Sequence, residues 1–128
     1  MKLLENLKYS KSHEWVEELE DGAVRIGITD FAQSELGDLV FVNLPEVGDE
    51  VICGESFADV ESVKAVSDVF CPVSGTVKAV NEELLDAPER INEDAYDAWF
   101  VEVENITETE ELLGSAAYEA HCEEEKSH

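Results

Sequence analysis

Basic residues are scarce in this 128-residue chain, which contains 8 Lys and Arg against 32 Asp and Glu and has a formal net charge of −24 at pH 7. Nucleic acids and anionic membrane surfaces bind basic patches, so this balance argues against both as partners. It predicts high solubility and salt-sensitive encounters with basic patches on partner proteins. Much of the acidic charge is expected to form an ordinary solvated face.

Long apolar runs are absent as well. The longest stretches resemble residues 39–42 and are far too short for a membrane-spanning helix. Residues 1–7 lack the apolar core of a secretory signal and the Arg-rich, acid-poor character of a transit peptide. The expected location is therefore the cytoplasm, or an organelle after processing, without membrane association.

Cysteine and histidine are few. The cysteines are odd in number and widely spaced, which fits neither a disulfide framework nor a zinc ligand set: Cys53, Cys71 and Cys122. Reduced thiols are expected, as in a cytosolic protein. The histidines are too scattered along the chain to predict a metal or nucleophile site: His13, His121 and His128. His13 fits a surface or hydrogen-bonded residue better than a catalytic base.

Familiar catalytic motifs are missing too. The chain has no Gly-rich phosphate loop, no Gly-x-Ser-x-Gly elbow and no His-Glu-x-x-His. It offers carboxylates, a distinctive Lys and few other reactive groups. We therefore expect a protein that carries a reactive group rather than an enzyme that transforms one, because group carriers bring their chemistry with the cofactor.

Hydrophobic patterning predicts a mostly β chain with short helices. Strict alternation over residues 23–29 places Val24, Ile26 and Ile28 on one face of a strand. Asp30 is expected to cap the short helix that follows, and Gly37 is expected to end it. Further strands are predicted over residues 39–44, 76–81 and 98–103.

The C-terminal part of the chain is expected to be helical. Thr107-x-x-Glu110 has the spacing of a capping box, which predicts a helix that ends at Gly114. Ser115 is the expected cap of a second helix. Residues 122–128 are expected to form a frayed tail.

Lys64 is the only Lys or Arg within residues 26–77, and carboxylates surround it in the sequence. A Lys is a flexible stem ending in an amine, and such amines are common sites of modification. The alternative interpretation is a surface Lys that offsets local negative charge, as most lysines are exposed. Local rules do not place a turn here, because no Asn-Gly or Asp-Gly marks one and apolar residues recur about every three positions over residues 60–73.

The sequence around this lysine resembles the biotinyl/lipoyl carrier fold. A Gly-Asp-x-Val turn at residues 48–51 precedes Glu-Ser-Val-Lys-Ala at 61–65, and Pro-x-Ser-Gly-x-Val follows at 72–77. Biotin carriers typically have Met on both sides of the Lys, whereas this Lys lies between Val and Ala. The resemblance therefore favours a lipoyl site.

Within that fold, the chain most resembles the H proteins of the glycine cleavage system, over nearly its whole length. Ser-His-Glu-Trp at residues 12–15, Gly-Ile-Thr-Asp-Phe-Ala-Gln at 27–33 and the expected C-terminal helices favour this family over 2-oxoacid dehydrogenase lipoyl domains. The chain departs from the family's pattern at Ala95 and Ala98, near positions where Pro and Gly are frequent. The loop before the last strand is therefore expected to differ in shape.

The resemblance implies a single lipoyl-carrier domain over residues 1–128, with a core of about 20–105 and a C-terminal helical segment at 107–124. The implied architecture is mostly β with short helices. It is a flattened barrel-sandwich of two pseudo-symmetric halves, with Lys64 at the tip of a hairpin. A monomer is expected.

The resemblance also implies a function. In the family, lipoate is joined to the Lys by an amide, and the P protein decarboxylates glycine with pyridoxal phosphate and passes the aminomethyl group to the arm. The T protein moves the one-carbon unit to tetrahydrofolate, and dihydrolipoamide dehydrogenase reoxidises the dithiol. The H protein catalyses none of these steps. The alternative is an H-like lipoyl or octanoyl donor in lipoate assembly, whereas the intact motif argues against a degenerate binding paralogue.

Site residues follow from the same resemblance. Lys64 is the expected lipoyl attachment site, and Glu61 is a candidate for recognition by the lipoate-attaching enzyme. Ser12, Glu14 and Asp68 match family positions that hold the loaded arm and its amine in a surface cleft. Ordinary surface polarity is the alternative for these four polar residues. No catalytic or metal-binding residue is expected.

Overall fold

The computed structural model describes residues 3–126, and that part of the chain is mostly β. Its elements are β1 (Lys8–Tyr9), β2 (Glu14–Glu18), β3 (Val24–Ile28), α1 (Asp30–Leu36), β4 (Leu39–Asn43), β5 (Glu50–Val51), β6 (Ser56–Ser62), β7 (Val66–Phe70), β8 (Val73–Val80), α2 (Glu83–Asp86), α3 (Arg90–Glu93), β9 (Val101–Thr109) and α4 (Ser115–Lys126). None of these helices is both long and apolar enough to cross a membrane.

Two antiparallel sheets enclose one hydrophobic core. The larger has the strand order β1-β2-β3-β9-β8-β5, and the smaller has the order β4-β6-β7. Buried residues of both belong to the same cluster, such as Ile26 and Val103 from the larger sheet and Val42 and Val60 from the smaller. Burial of these apolar side chains is the main force that holds the sheets together. The expected barrel-sandwich is confirmed.

A second cluster of buried side chains joins the N-terminal strands to α1 and α4. Tyr9 and Tyr118 stack with ring centroids 4.7 Å apart. Trp15 donates its indole N–H to the Ala95 carbonyl at 3.0 Å. The indole also covers Gly27, where an added Cβ would lie 2.7 Å from the ring. This cluster fixes α4 against the loop before β2.

The predicted capping box at Thr107 was wrong. Residues 107–109 belong to β9, where Thr109 pairs with Val73, and the Glu110 N–H donates to the Pro72 carbonyl at 2.9 Å. Pairing with β8 satisfies the backbone that a helix would otherwise use, so tertiary context overrides the local signal. The predicted helical segment 107–124 is therefore a strand end, an irregular link and one helix.

That one helix is α4, and it begins at the predicted position of Ser115. Gly114 precedes the helix instead of ending one, and its carbonyl accepts from the Tyr118 N–H at 2.9 Å. The helix continues to Lys126 and buries Cys122, so a frayed tail from 122 onward was wrong for residues 122–126. The remainder of that predicted tail, residues 127–128, lies outside the described residues.

The predicted N-cap of α1 was off by one residue. Thr29 caps the helix, and its hydroxyl accepts from the Ala32 N–H at 3.2 Å. Both Thr and Asp are good caps, but Thr29 is also hydrogen-bonded to the Tyr118 hydroxyl at 2.7 Å. This tertiary contact fixes the choice, while Gly37 ends the helix as predicted.

Two predicted strand starts also shift. β8 begins at Val73, earlier than the expected residue 76, because Val73 and Ser74 pair with the end of β9. β9 begins at Val101, later than the expected residue 98. The early start of β8 comes from the long β8–β9 ladder, whose partner strands are far apart in sequence.

Candidate functional site

Lys64 lies at the exposed tip of the β6–β7 hairpin. The strands are antiparallel, with Glu61 opposite Val66, so residues 63–65 form the connection. Lys64 is exposed, and Val63 and Val66 beside it are 69% and 67% exposed. The lysine is therefore open to a second protein.

Ser62 closes the turn that presents the lysine. Its N–H donates to the Ala65 carbonyl at 2.8 Å, and its Oγ accepts from the N–H groups of Lys64 and Ala65, each at 3.1 Å. Serine side chains that bond nearby backbone in this way favour turns. The sequence alone did not lead us to this role of Ser62, although a serine just before the turn could have indicated it.

The hairpin tip rests on the end of α1. The Val63 N–H donates to the Asp38 carbonyl at 3.1 Å. Gly37 has φ +84°, and an added Cβ there would lie 3.3 Å from Cε of Lys64 and 3.8 Å from Nζ. A glycine therefore suits both the backbone conformation and the close approach of the side chain. The C-terminal end of a helix also favours a nearby cation.

The carboxylates near Lys64 in the sequence do not form ion pairs with its ammonium. Within residues 3–126, no ion pair joins Lys64 to a carboxylate. Glu61 and Asp68 are both exposed. In the sheet, Glu61 lies between Val66 and Phe41, of which Phe41 is 52% exposed. Glu61 is thus an accessible charge among exposed apolar side chains.

A groove of about 390 Å³ lies among α1, α4, β7 and the loop before β2. Phe31, Ala32 and Leu36 from α1 give it apolar surface, and Ser12 and Ser67 contribute hydroxyls. The helix that forms this wall is the one on whose end Lys64 rests. One element therefore connects the exposed amine to the groove.

Strand alternation decides which side chain of β7 faces this groove. Ser67 lines it and lies on the same strand face as buried Val69, whereas Asp68 is exposed on the opposite face. Among the described residues, the lining includes Ser12 but neither Glu14 nor Asp68. Sequence reasoning missed Ser67, which the alternation of β7 could have identified.

Glu14 is buried beside the groove, with 2% of its surface exposed. Its Oε1 accepts from the hydroxyls of Ser10 at 2.7 Å and Ser12 at 2.5 Å, and its Oε2 accepts from the Phe70 N–H at 3.4 Å. Burial raises the pKa of the carboxyl to about 7, although these hydrogen bonds oppose the shift. Ordinary surface polarity therefore does not describe Glu14, which is linked to the groove through one hydroxyl.

Comparison with known sequences gives close relatives. Residues 7–125 match the family described as "Glycine cleavage H-protein". The glycine cleavage system H protein of Lachnoclostridium phytofermentans is 59% identical over 125 residues, which cover 98% of each chain. A probable glycine cleavage system H protein of Pyrococcus furiosus is 57% identical over 120 residues, covering 91% of this chain and 90% of its own.

Comparison with solved structures gives a similar fold. The crystal structure of a glycine cleavage system H protein from Mycobacterium marinum aligns with a TM-score of 0.87 at 42% sequence identity. The alignment covers 92% of this chain and 97% of that one. The similarity thus includes both sheets and nearly the full length of each protein.

Proposed function

The chain belongs to the glycine cleavage H-protein family, and on that premise we propose that it is a lipoyl carrier for the aminomethyl group of glycine. The proposed donor is the pyridoxal-phosphate decarboxylase, the P protein, and the proposed acceptor is the tetrahydrofolate-dependent T protein. Dihydrolipoamide dehydrogenase would restore the disulfide. Lipoate supplies the sulfur chemistry when it is attached, so the chain itself is a non-catalytic subunit.

One observation supports this proposal above all: Lys64 lies at an exposed hairpin tip against the end of α1, the helix that also forms a wall of the groove. Surface ion pairs contribute little, so an exposed lysine has no strong tendency to pair even with the many carboxylates of this chain. Within residues 3–126, Lys64 pairs with none of them. Its amine is therefore available for an amide bond to lipoate.

The groove suits a lipoyl group in its size and its mixed lining. Its volume of about 390 Å³ is within the range of small-ligand sites. Phe31, Ala32 and Leu36 would shield an aliphatic arm from water, and Ser12 and Ser67 would hydrogen-bond a polar end. Shelter from water would favour retention of a cargo that is prone to hydrolysis.

We propose that Ser12 and Glu14 act together on a cationic amine in this groove. The Ser12 hydroxyl lines the groove while it donates to the buried Glu14 carboxyl. Above a pH of about 7, Glu14 adds negative charge behind that hydroxyl, which favours a cation. Asp68 lies on the opposite face of β7, so the contact that we propose between it and the arm would lie outside this groove. Glu61 is the proposed contact for the lipoate-attaching enzyme.

Intact-mass analysis of the protein from its native host tests the attachment. We expect the mass increment of one lipoyl group, and fragmentation should locate it on Lys64. Purified lipoylated protein should then support glycine–bicarbonate exchange by the P protein. Lys64→Arg keeps the charge but cannot form the amide, so it should lose both the increment and the exchange, whereas Lys78→Arg should keep both.

These results separate the possible outcomes. Lipoate on the Lys64→Arg protein, or exchange supported by it, would contradict the proposal. A lipoylated protein that supports no exchange but passes its lipoyl group to other acceptor domains would instead favour the role of lipoate donor. Attachment and shuttling are therefore tested separately.

A further inference from the structure

We propose that His13, His121 and Glu125 form a binding site for a zinc-class divalent ion. The structure brings together two histidines that lie far apart in the sequence. One ligand atom from each of the three side chains lies within 4.8 Å of the others. The site joins the loop before β2 to α4, and the inference does not depend on the proposed carrier function.

The spacing of the donor atoms is close to what a small ion needs. Nε2 of His13 lies 2.7 Å from Oε2 of Glu125, and Nε2 of His121 lies 3.1 Å from Oε1 of the same carboxylate. Zinc bonds to nitrogen and oxygen of about 2.0–2.1 Å in a tetrahedral site place neighbouring ligand atoms about 3.3 Å apart. Nε2 of His121 also lies 3.0 Å from the Lys11 carbonyl, so an outward movement of the side chains that breaks this hydrogen bond would admit the ion.

Helix geometry places two of the ligands. His121 and Glu125 are four residues apart on α4, so they lie on the same helix face, one turn from each other. The His side chains are 16% and 24% exposed, and that of Glu125 is 43% exposed. The site is therefore partly shielded from water yet accessible to an ion.

The third ligand comes from a constrained turn. His13 has φ +75°, which is uncommon for a residue other than glycine. Its N–H donates to the Ser10 carbonyl, and its own carbonyl accepts from the Thr29 N–H. Its ring stacks on Phe31 with centroids 4.7 Å apart. Such conformations persist where surrounding contacts impose them, often at functional sites.

Tyr118 supplies an outer contact of the kind found around metal-bound histidines. Its hydroxyl lies 2.7 Å from Nδ1 of His13 and 2.7 Å from the hydroxyl of Thr29. When Nδ1–H donates to Tyr118, the lone pair of Nε2 is left for a metal ion. Metal-binding histidines usually donate their second ring N–H in this way.

The chemical nature of the ligands selects the ion. Two imidazoles and one carboxylate suit zinc, whereas magnesium and calcium prefer sites made only of oxygen. Three protein ligands leave one position open on a four-coordinate zinc ion, to be filled by water. His13 and Glu125 also line the groove, so the ion and its water can enter from there.

Calorimetric zinc titration of the full chain tests the site. The protein should lack a polyhistidine tag, be stripped with EDTA and dialysed, and be measured in excess magnesium to occupy its acidic surface. We expect one zinc ion per chain and a rise in Tm on binding, because a ligand that binds only the folded state stabilises it. Cobalt should bind at the same site and develop visible absorption bands.

Matched variants distinguish a specific metal site from nonspecific attraction of zinc to an acidic protein. Glu125→Gln and His121→Gln should each weaken zinc binding at least tenfold, whereas Glu124→Gln, with the same loss of charge on the same helix, should retain the affinity. His13→Asn should also weaken binding, and Asn tolerates positive φ well. Circular dichroism shows whether each variant is folded. If the His13 variant is unfolded, the Glu125→Gln and His121→Gln variants test the site.

The alternative is that these side chains only hydrogen-bond α4 to the loop before β2. Zinc would then show no saturable binding in excess magnesium, or Glu124→Gln would lose as much affinity as Glu125→Gln. Either result would overturn the proposal. A saturable site that depends on His121 and Glu125 but not on Glu124 would support it.

Discussion

The hairpin tip and the buried polar layer use the same kinds of atom under opposite conditions. The polar layer consists of Ser10, Glu14 and Thr29, the buried polar residues of the described chain. At the tip, Ser62 and Lys64 make their contacts in water, where a hydrogen bond contributes little net stability. In the polar layer each polar atom hydrogen-bonds to a protein group instead of to water, so loss of that partner has a large free-energy cost.

The hairpin tip therefore holds the reactive group, whereas the polar layer contributes to stability. Within residues 3–126, no buried side-chain nitrogen or oxygen lacks a hydrogen-bond partner. Substitutions in the polar layer should therefore change stability and its pH dependence. Substitutions at the tip should change modification rates and leave the fold almost untouched.

The pH dependence of stability should depend strongly on Glu14. Its pKa rises from 4.5 to about 7 on folding. The folded state therefore holds this proton more tightly than the unfolded state. The contribution is fully present below pH 4.5 and is lost as the pH rises through 7. At about 1.4 kcal/mol per pKa unit, it amounts to about 3 kcal/mol.

Urea unfolding of the parent and Glu14→Gln proteins from pH 4.5 to pH 8, with EDTA present, measures this effect. The variant should lose less stability than the parent over that range, because its amide does not titrate. Glu18→Gln, an exposed change on the same strand, serves as the control and should follow the parent. Parallel profiles for parent and Glu14→Gln would show that the buried carboxyl has no special role.

Gly37→Ala should show that the tip depends on its support even where its side chains are free. The positive φ disfavours alanine, and the new Cβ would press on Cε of Lys64. We expect a loss of about 1–2 kcal/mol in the free energy of unfolding. Gly114→Ala should stay within about 0.5 kcal/mol, since its Cβ would meet open space. Equal losses in the two variants would contradict this account of the tip.

Glu61→Ala should leave stability within about 0.5 kcal/mol of the parent, because the side chain is exposed. We expect it to slow lipoylation of Lys64 several-fold, through loss of a charge that a basic enzyme patch would meet. Initial rates with a purified lipoate-attaching enzyme measure the effect. Glu55→Ala, an exposed change near the far end of the hairpin, is the matched control, and equal rates in all three proteins would remove Glu61 from the recognition site.

Local sequence rules predicted the elements whose signals lie within a few residues of one another. The β3 strand follows from the alternation of Val24, Ile26 and Ile28, and the end of α1 follows from Gly37. The prediction of a capping box at Thr107 was wrong because the backbone at the end of β9 pairs with β8, which lies far away in the sequence. Local propensity cannot anticipate such pairing.

The candidate site was only partly visible in the sequence. The motif identified Lys64, but its turn depends on the side chain of Ser62, which replaces the usual Asn-Gly signal. The groove was harder to predict from the sequence, because its lining comes from four separate elements. His13 and Glu125 come into contact only when α4 packs against the N-terminal strands. The periodicity of apolar residues in the sequence does not predict that contact.

The isolation of Lys64 at an exposed tip also has an analytical consequence. Trypsin cleaves after lysine and arginine, and exposed loop tips are where folded proteins are cut most readily. Unmodified folded chains should therefore be cut first after residue 64. Complete digestion after denaturation, which adds cuts after Arg25 in β3 and Lys78 in β8, should yield peptides 26–64 and 65–78. An amide on Nζ removes the charge that the protease recognises and should leave one peptide, 26–78. The ratio of these peptides measures the occupancy of the lysine directly.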